Sequence, residues 1–173
     1  MEDGDLRAHL ERLHPDSVGW ARACCARDAL EAETVLQTAY VKILDHRARF
    51  DGRASFKTWV FAVIRKTALD ERRRALVRRF WSAAQAGAAA PPIYASDADR
   101  AVYCDELRGL FRRALAELPS RQREALHLVF YHEMSLQEAA EVMGVSIGAV
   151  RQHYDRGKKR LRCWMELHEV DHD

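Results

Sequence analysis

Apolar positions recur along this chain at intervals of three and four residues, the spacing of helices with one buried face, and nowhere in sustained alternation. Leu6, Leu10 and Leu13 predict a short first helix that stops near Pro15, because a proline removes a backbone donor and crowds the preceding turn. A second helix is expected over about 17–27, and a third over about 31–45 with Leu36, Tyr40, Ile43 and Leu44 on one side. Ser55 is placed to cap a further helix carrying Phe56, Trp59, Val60, Val63 and Ile64.

The pattern lapses after Trp81. Ala83 to Pro92 offers small residues and then two prolines, which give little to pack and stop a helix, so 84–99 is predicted to be a linker. Helical spacing resumes with Tyr103, Leu107, Leu110, Leu115 and Leu118. Pro119-Ser120 opens another helix, with Leu126, Val129 and Phe130 expected inward. Ser135-Leu-Gln-Glu138 has the form of a capping box, and that helix is expected to end at Gly144. Ser146 then caps a last helix reaching about Trp164, and Val145, Ile147 and Val150 are expected to supply its apolar contact. Two capped helices around Met143-Gly144-Val145 have the length of a helix-turn-helix, with Ala139 and Ala140 small where the helices approach. The predicted fold is therefore all-α: two small helical domains joined by a flexible linker, the second with a helix-turn-helix. The expected limits are 1–83, 84–99 (linker), 100–165 and 166–173 (polar tail).

A length of 173 residues allows one ordinary domain or two small ones. The longest nearly apolar run, Trp59 to Ile64, is far short of the roughly 18 residues that span a membrane, and the N-terminus has no apolar signal region. A cytoplasmic protein with no membrane insertion is expected. Cys24, Cys25, Cys104 and Cys163 form no CxxC pair and read as free thiols. His127 and His132, five apart, are predicted on different faces, and His168 and His172 belong to the polar tail. No metal site and no cofactor are expected.

The net charge of +2 hides a segregation. From Ser146 to Cys163 stand Arg151, Arg156, Lys158, Lys159, Arg160 and Arg162 against Asp155 alone, which suits a phosphate-rich partner. Ser146, Gly148, Arg151 and Gln152 lie at the end of the helix that reaches base edges in such motifs, where Arg pairs with guanine and Gln with adenine. Lys158, Lys159 and Arg162 are placed for phosphates. In the first half, Asp70-Glu-Arg-Arg-Arg74 leads to Arg78 and Arg79 directly after the aromatic-rich helix. Rings beside cations suit single-stranded nucleic acid, although Phe56 and Trp59 have core spacing as well. A nucleic-acid enzyme would want converging carboxylates, and Asp45, Asp51, Asp70 and Glu71 are dispersed. DNA binding without catalysis is the expectation.

Two sets of residues resemble a known family. Leu118-Pro-Ser-Arg-Gln-Arg-Glu-Ala-Leu126, Ser135 to Gly144 and Val145 to Arg151 resemble region 4 of sigma-70-type initiation factors. Ala32 to Gln37, Phe56 to Phe61 and Ala68 to Arg73 resemble region 2. With these two regions and a short linker, the chain is similar to the extracytoplasmic-function (ECF) sigma factors. The resemblance implies a factor that binds bacterial core RNA polymerase, recognises −35 and −10 promoter elements and promotes melting.

The resemblance also implies a set of roles. Glu31, Glu33, Gln37 and Tyr40 would meet the β′ clamp helices. Phe50, Asp51 and Arg53 would form a base-capturing loop, and Trp59, Arg65, Lys66, Arg72 and Arg73 would face the −10 region and the melted strand. The helix from Ser146 to Arg156, including Tyr154, would enter the −35 major groove, with Lys158 and Lys159 beyond it and the flank on the β flap. An anti-sigma factor is the further partner implied. Lys66 stands where the family often has Asn, and Gly157 where Ala is usual; in a helix interior Gly costs about 1 kcal/mol relative to Ala. The residues alone also fit a conventional helix-turn-helix regulator with a helical sensing domain.

Overall fold

The computed structural model describes residues 3–25, 28–85 and 113–169. The chain divides into two compact units, Met1–Ser96 and Asp97–Asp173. Among the described residues all regular structure is helical, and no helix is long and apolar enough to cross a membrane.

The first unit packs α1 (Asp3–Cys24), α2 (Ala29–Leu44) and α3 (Phe56–Gln85) against one another. The expected break at Pro15 does not occur, and α1 runs through it as one helix. An interior proline costs on the order of 3 kcal/mol. Burial of Leu6 and Leu10 on one side of it and Trp20 and Ala21 on the other outweighs that cost. Trp20 is the centre of the unit. It is fully buried, stacks on Phe61 at 5.7 Å, and its indole N–H donates to the Phe61 carbonyl at 3.0 Å. Val35, Ala39 and Ile43 from α2 and Val60, Ile64 and Ala68 from α3 close the core around it.

Both helix starts have side-chain caps. Asp28 accepts from the Glu31 amide at 2.9 Å, and Ser55 Oγ accepts from the Thr58 amide at 3.1 Å. α3 runs to Gln85, two residues past the expected limit of the domain. Nearly all of the predicted linker lies outside the described residues, as do Tyr103, Cys104, Leu107 and Leu110 of the second half.

The second unit comprises a short helical segment at 113–117, α4 (Ser120–Leu126), α5 (Leu136–Met143) and α6 (Ile147–Glu169). Leu115, Leu118 and Leu126 form its small core, with Tyr154 and Leu161 of α6 packed against them. α4 passes directly into a π-helical turn, His127–Tyr131. That turn overturns two expectations. Its i→i+5 bond, from the His132 amide to the His127 carbonyl at 3.1 Å, puts residues five apart on one face. The rings of His127 and His132 accordingly sit 5.0 Å apart. The same register shift buries Leu128 and leaves Phe130, expected inward, 70% exposed. Ile147 is also exposed, at 44%, so the apolar contact at the start of α6 comes chiefly from Val150 and the half-buried Val145. The predicted tail begins inside α6, which continues to Glu169; residues 170–173 lie outside the described set. Trp164 helps to hold that extension, its indole N–H donating to Glu117 Oε2 at 2.9 Å.

Candidate nucleic-acid interface

The helix-turn-helix is built by local chemistry at each end of its first helix. Ser135 Oγ accepts from the Glu138 amide at 3.2 Å, and Glu138 Oε2 accepts from the Ser135 amide at 3.0 Å, a complete capping box. Gly144 ends α5 in the left-handed region, with φ 62° and ψ 42°. The Val145 amide then reaches back to the Ala140 carbonyl at 3.1 Å, which turns the chain at once into α6. Ser146 Oγ caps α6 by accepting from the Ala149 amide at 3.2 Å. Ala139, Ala140, Val142 and Met143 of α5 and Val150 of α6 are buried.

This packing turns one face of α6 to solvent. Ser146, Gly148, Arg151, Gln152, Arg156, Lys158 and Lys159 are all exposed. Lys158 is also engaged within the helix: its ammonium lies 4.5 Å from the Tyr154 ring centroid and 3.4 Å from Asp155 Oδ1. Tyr154, grouped with the DNA-facing residues in the sequence, is half-buried instead and packs on the Leu115–Leu118–Leu126 core. Gly157 is buried where α6 crosses α4, so it is a packing requirement as well as a weak helix former.

In the first unit the candidate residues separate into those that α3 exposes and those it turns inward. Lys66 and Arg73 are exposed, whereas Arg65 is buried at 8%. Arg72 is half-buried and donates through Nη2 to the Cys24 carbonyl, tying α3 to the C-terminal end of α1. A guanidinium used in this way is a structural clamp on carbonyls that α1 leaves unsatisfied.

The loop between α2 and α3 brings Phe50, Phe56 and Trp59 into one ring cluster, with centroid separations of 5.2–5.7 Å. All three rings are half-buried. The loop's tip is ordered by its own side chains: Asp51 Oδ1 accepts from the Arg53 amide at 3.2 Å, and Gly52 takes φ 74°. Arg53 Nε lies 3.4 Å from Asp51 Oδ2, so the charges of these two residues face each other.

The surface of α2 holds the third group. Glu33 and Gln37 are exposed and joined, Gln37 Nε2 donating to Glu33 Oε1 at 3.1 Å. Tyr40 is half-buried beside His14 at 3.2 Å, and burial pushes its phenol above the ordinary range. Glu31 is raised too, by burial first, with the Arg72 guanidinium opposing the shift. Glu33, Gln37, Tyr40 and the 76% exposed Leu30 line a groove between α1 and α2.

Two exposed aromatics near the end of α3 adjoin the alanine-rich segment and are absent from the residues singled out in the sequence. Phe80 is 76% and Trp81 71% exposed. Phe80 stands three intervals of seven residues from Trp59, with Trp81 next to it.

Comparison with known proteins matches these units to one family. Residues 9–77 match the family model for Sigma-70 region 2, and residues 108–161 match that for Sigma-70, region 4. Together they cover most of the chain, in the order read from the motifs. Among relatives, the chain is similar to the ECF RNA polymerase sigma factor SigW of Bacillus subtilis, with 25% identity over 92% of this chain and 89% of that protein. It is similar to SigX of the same organism, with 29% identity over 82% of this chain and 74% of that protein. SigC of Mycobacterium tuberculosis is 27% identical over 90% and 80%. Two solved folds are also similar, each at 22% identity. The sigma factor RpoE of Bartonella quintana, crystallised with the anti-sigma factor NepR, gives a TM-score of 0.70 over 94% of this chain and 97% of that one. CnrH, solved with the cytosolic domain of CnrY, gives 0.62 over 95% and 88%. The region 2 match displaces the alternative of a regulator with a sensing domain, because it covers residues 9–77, the half that reading gave to sensing. With both regions present in one chain and folded as separate helical units, the chain belongs to the sigma-70 family as an RNA polymerase sigma factor of the ECF type.

Proposed function

We propose that this sigma factor divides promoter recognition between its two units, with residues 1–83 serving the −10 element and melting and residues 100–165 the −35 element. The observation that carries the reading is the start of α6, where a doubly capped turn leaves Arg151 and Gln152 exposed at the end of a helix stabilised by burial on its other face. Those two side chains read base edges in the major groove; Arg156 and Lys159 hold phosphates. Lys66 and Arg73 on α3 and the Phe50–Arg53 loop face the −10 element and the opened strand. The α2 face with Glu33, Gln37 and Tyr40 meets core polymerase. The similarly folded RpoE was solved with an anti-sigma factor, which supports the same kind of partner here.

The protein works by binding, with no covalent step of its own. Opening is driven by greater affinity for melted than for duplex DNA, and a ligand shifts an equilibrium only by that difference. Run-off transcription from a promoter library with purified core polymerase tests the reading. Initiation that requires the protein, with Arg151→Ala altering the −35 sequences selected, is the expected result. Duplex binding without any initiation overturns it.

A further inference from the structure

The strongest unassigned feature is the C-terminal end of α3. Beyond Arg72, whose guanidinium clamps the end of α1, α3 continues for thirteen residues to Gln85. Leu76, Val77, Phe80 and Trp81 there are each more than half exposed, and Arg73 and Arg78 are exposed beside them. From Arg72 to Ser96 the sequence holds five arginines and no acid. An apolar patch of this kind marks an interaction site, and its charge calls for an anionic partner.

Position along the helix narrows the partner. Trp59, Lys66, Arg73 and Phe80 follow at intervals of seven residues. Seven residues return to the same side of an α-helix with a drift of about 20° and advance about 10.5 Å. A ring, two cations and a second ring therefore stand in one line along α3, and Trp81 flanks its far end. Asp70 lies on the same side, but its carboxylate faces Lys42 at 3.9 Å. Phe80 and Trp81 fall outside the segment matched to region 2, which ends at residue 77.

We propose that Phe80 and Trp81 form a stacking platform for single-stranded DNA that extends the nucleic-acid face of α3 past the family's region 2. Exposed rings take unstacked bases of any sequence on their π faces, and the arginines alongside track the backbone. The inference rests on the assignment of Lys66 and Arg73 to the DNA face. An anionic lipid surface or a protein helix would also meet an apolar, basic stripe. Neither accounts for its continuity with the ring and cations of the preceding part of α3, from Trp59 to Arg73.

The test uses the full-length protein and a fluorescently labelled 20-residue oligodeoxythymidine, followed by anisotropy at low salt. Phe80→Ala/Trp81→Ala is expected to weaken binding by roughly tenfold or more. Phe80→Tyr/Trp81→Phe, which keeps the rings, is expected to restore it. Both residues are exposed, so unchanged circular dichroism and urea midpoint are expected of both variants and establish that folding is intact. Oligonucleotide affinity that is unaltered by the alanine pair, or absent in the wild type, overturns the platform. So does loss of core-polymerase or anionic-vesicle binding with DNA affinity preserved. Wild-type run-off transcription separates the two claims: a null run-off result refutes the sigma-factor assignments, whereas intact run-off with no oligonucleotide effect refutes the platform alone.

Discussion

Gly157 of α6 lies against Leu126 of α4, and the space between the helices is sized for a residue without a side chain. A Cβ on Gly157 would stand 3.0 Å from Leu126 Cδ1 and 3.3 Å from the Gln122 carbonyl oxygen. The first neighbour can turn aside; the second is backbone and cannot. Gly157→Ala gains about 1 kcal/mol of helix propensity against this crowding, so a net change within about 1 kcal/mol is expected. Gly157→Val adds a stiff branched side chain at the same point and is expected to lose about 1–3 kcal/mol. Urea unfolding of the two variants measures both, and a Val variant as stable as wild type would show that the helices do not meet as described.

Tyr154 separates folding from recognition. Its ring packs on Leu115, Leu118 and Leu126, so Tyr154→Ala is expected to destabilise the second unit by about 2–4 kcal/mol. Tyr154→Phe keeps the ring and is expected to leave both stability and −35 preference nearly unchanged. A changed promoter preference in the Phe variant, from selection on a randomised −35 library, would place the hydroxyl at the DNA instead.

Lys158 and Lys159 are neighbours with different expected effects. Lys158 is held by Tyr154 and Asp155, while Lys159 is free to reach a phosphate in the proposed complex. Replacing a phosphate contact lowers the slope of log affinity against log salt by about 0.9. That decrease is expected for Lys159→Ala and a smaller one for Lys158→Ala, measured on a duplex −35 element with the holoenzyme. Equal decreases would mean that Lys158 leaves its intramolecular partners on binding.

The Glu31 carboxyl is raised by burial. A folded-state pKa above the unfolded one means that the native protein binds the proton more tightly. The resulting penalty is present above the folded pKa and disappears as pH falls below the unfolded value. Glu31→Gln is therefore expected to raise the urea midpoint at pH 7, with the difference shrinking through the acidic carboxylate range. A lower midpoint at pH 7 would show that attraction to Arg72 outweighs burial.

Burial pushes the Cys25 thiol up to about 12, whereas Cys163 is exposed on α6. The thiolate is the reactive form. Brief iodoacetamide treatment of the native protein at pH 8 is expected to label Cys163 and spare Cys24 and Cys25 until urea is added, as read by peptide mass spectrometry. Rapid native labelling of Cys25 would contradict the packing of α1.

The local signals in the sequence were strong where a side chain acts on its own backbone. Ser55, the Ser135–Glu138 box, Gly144 and Ser146 stand at helix ends because each satisfies or permits a specific backbone geometry within a few residues, and their spacing located the two helices and the turn between them. The segregation of charge onto the last helix was equally legible, since it depends on counting and not on packing. Other features belonged to the tertiary structure. Pro15 continues a helix because Trp20 and its neighbours are buried beyond it, and no local rule weighs that burial. The π turn at His127–Tyr131 shifts the register by one residue, turning Phe130 outward and bringing His127 and His132 to one face. Arg65 and Arg72 read as part of one basic run with Lys66 and Arg73, yet the contact of α3 with the rest of its unit draws the first pair inward and leaves the second pair exposed. Charge and capping are properties of residue type and short spacing, so the sequence determined them by itself; which arginine remains available for a partner depends on what another helix covers, and only the folded unit decided that.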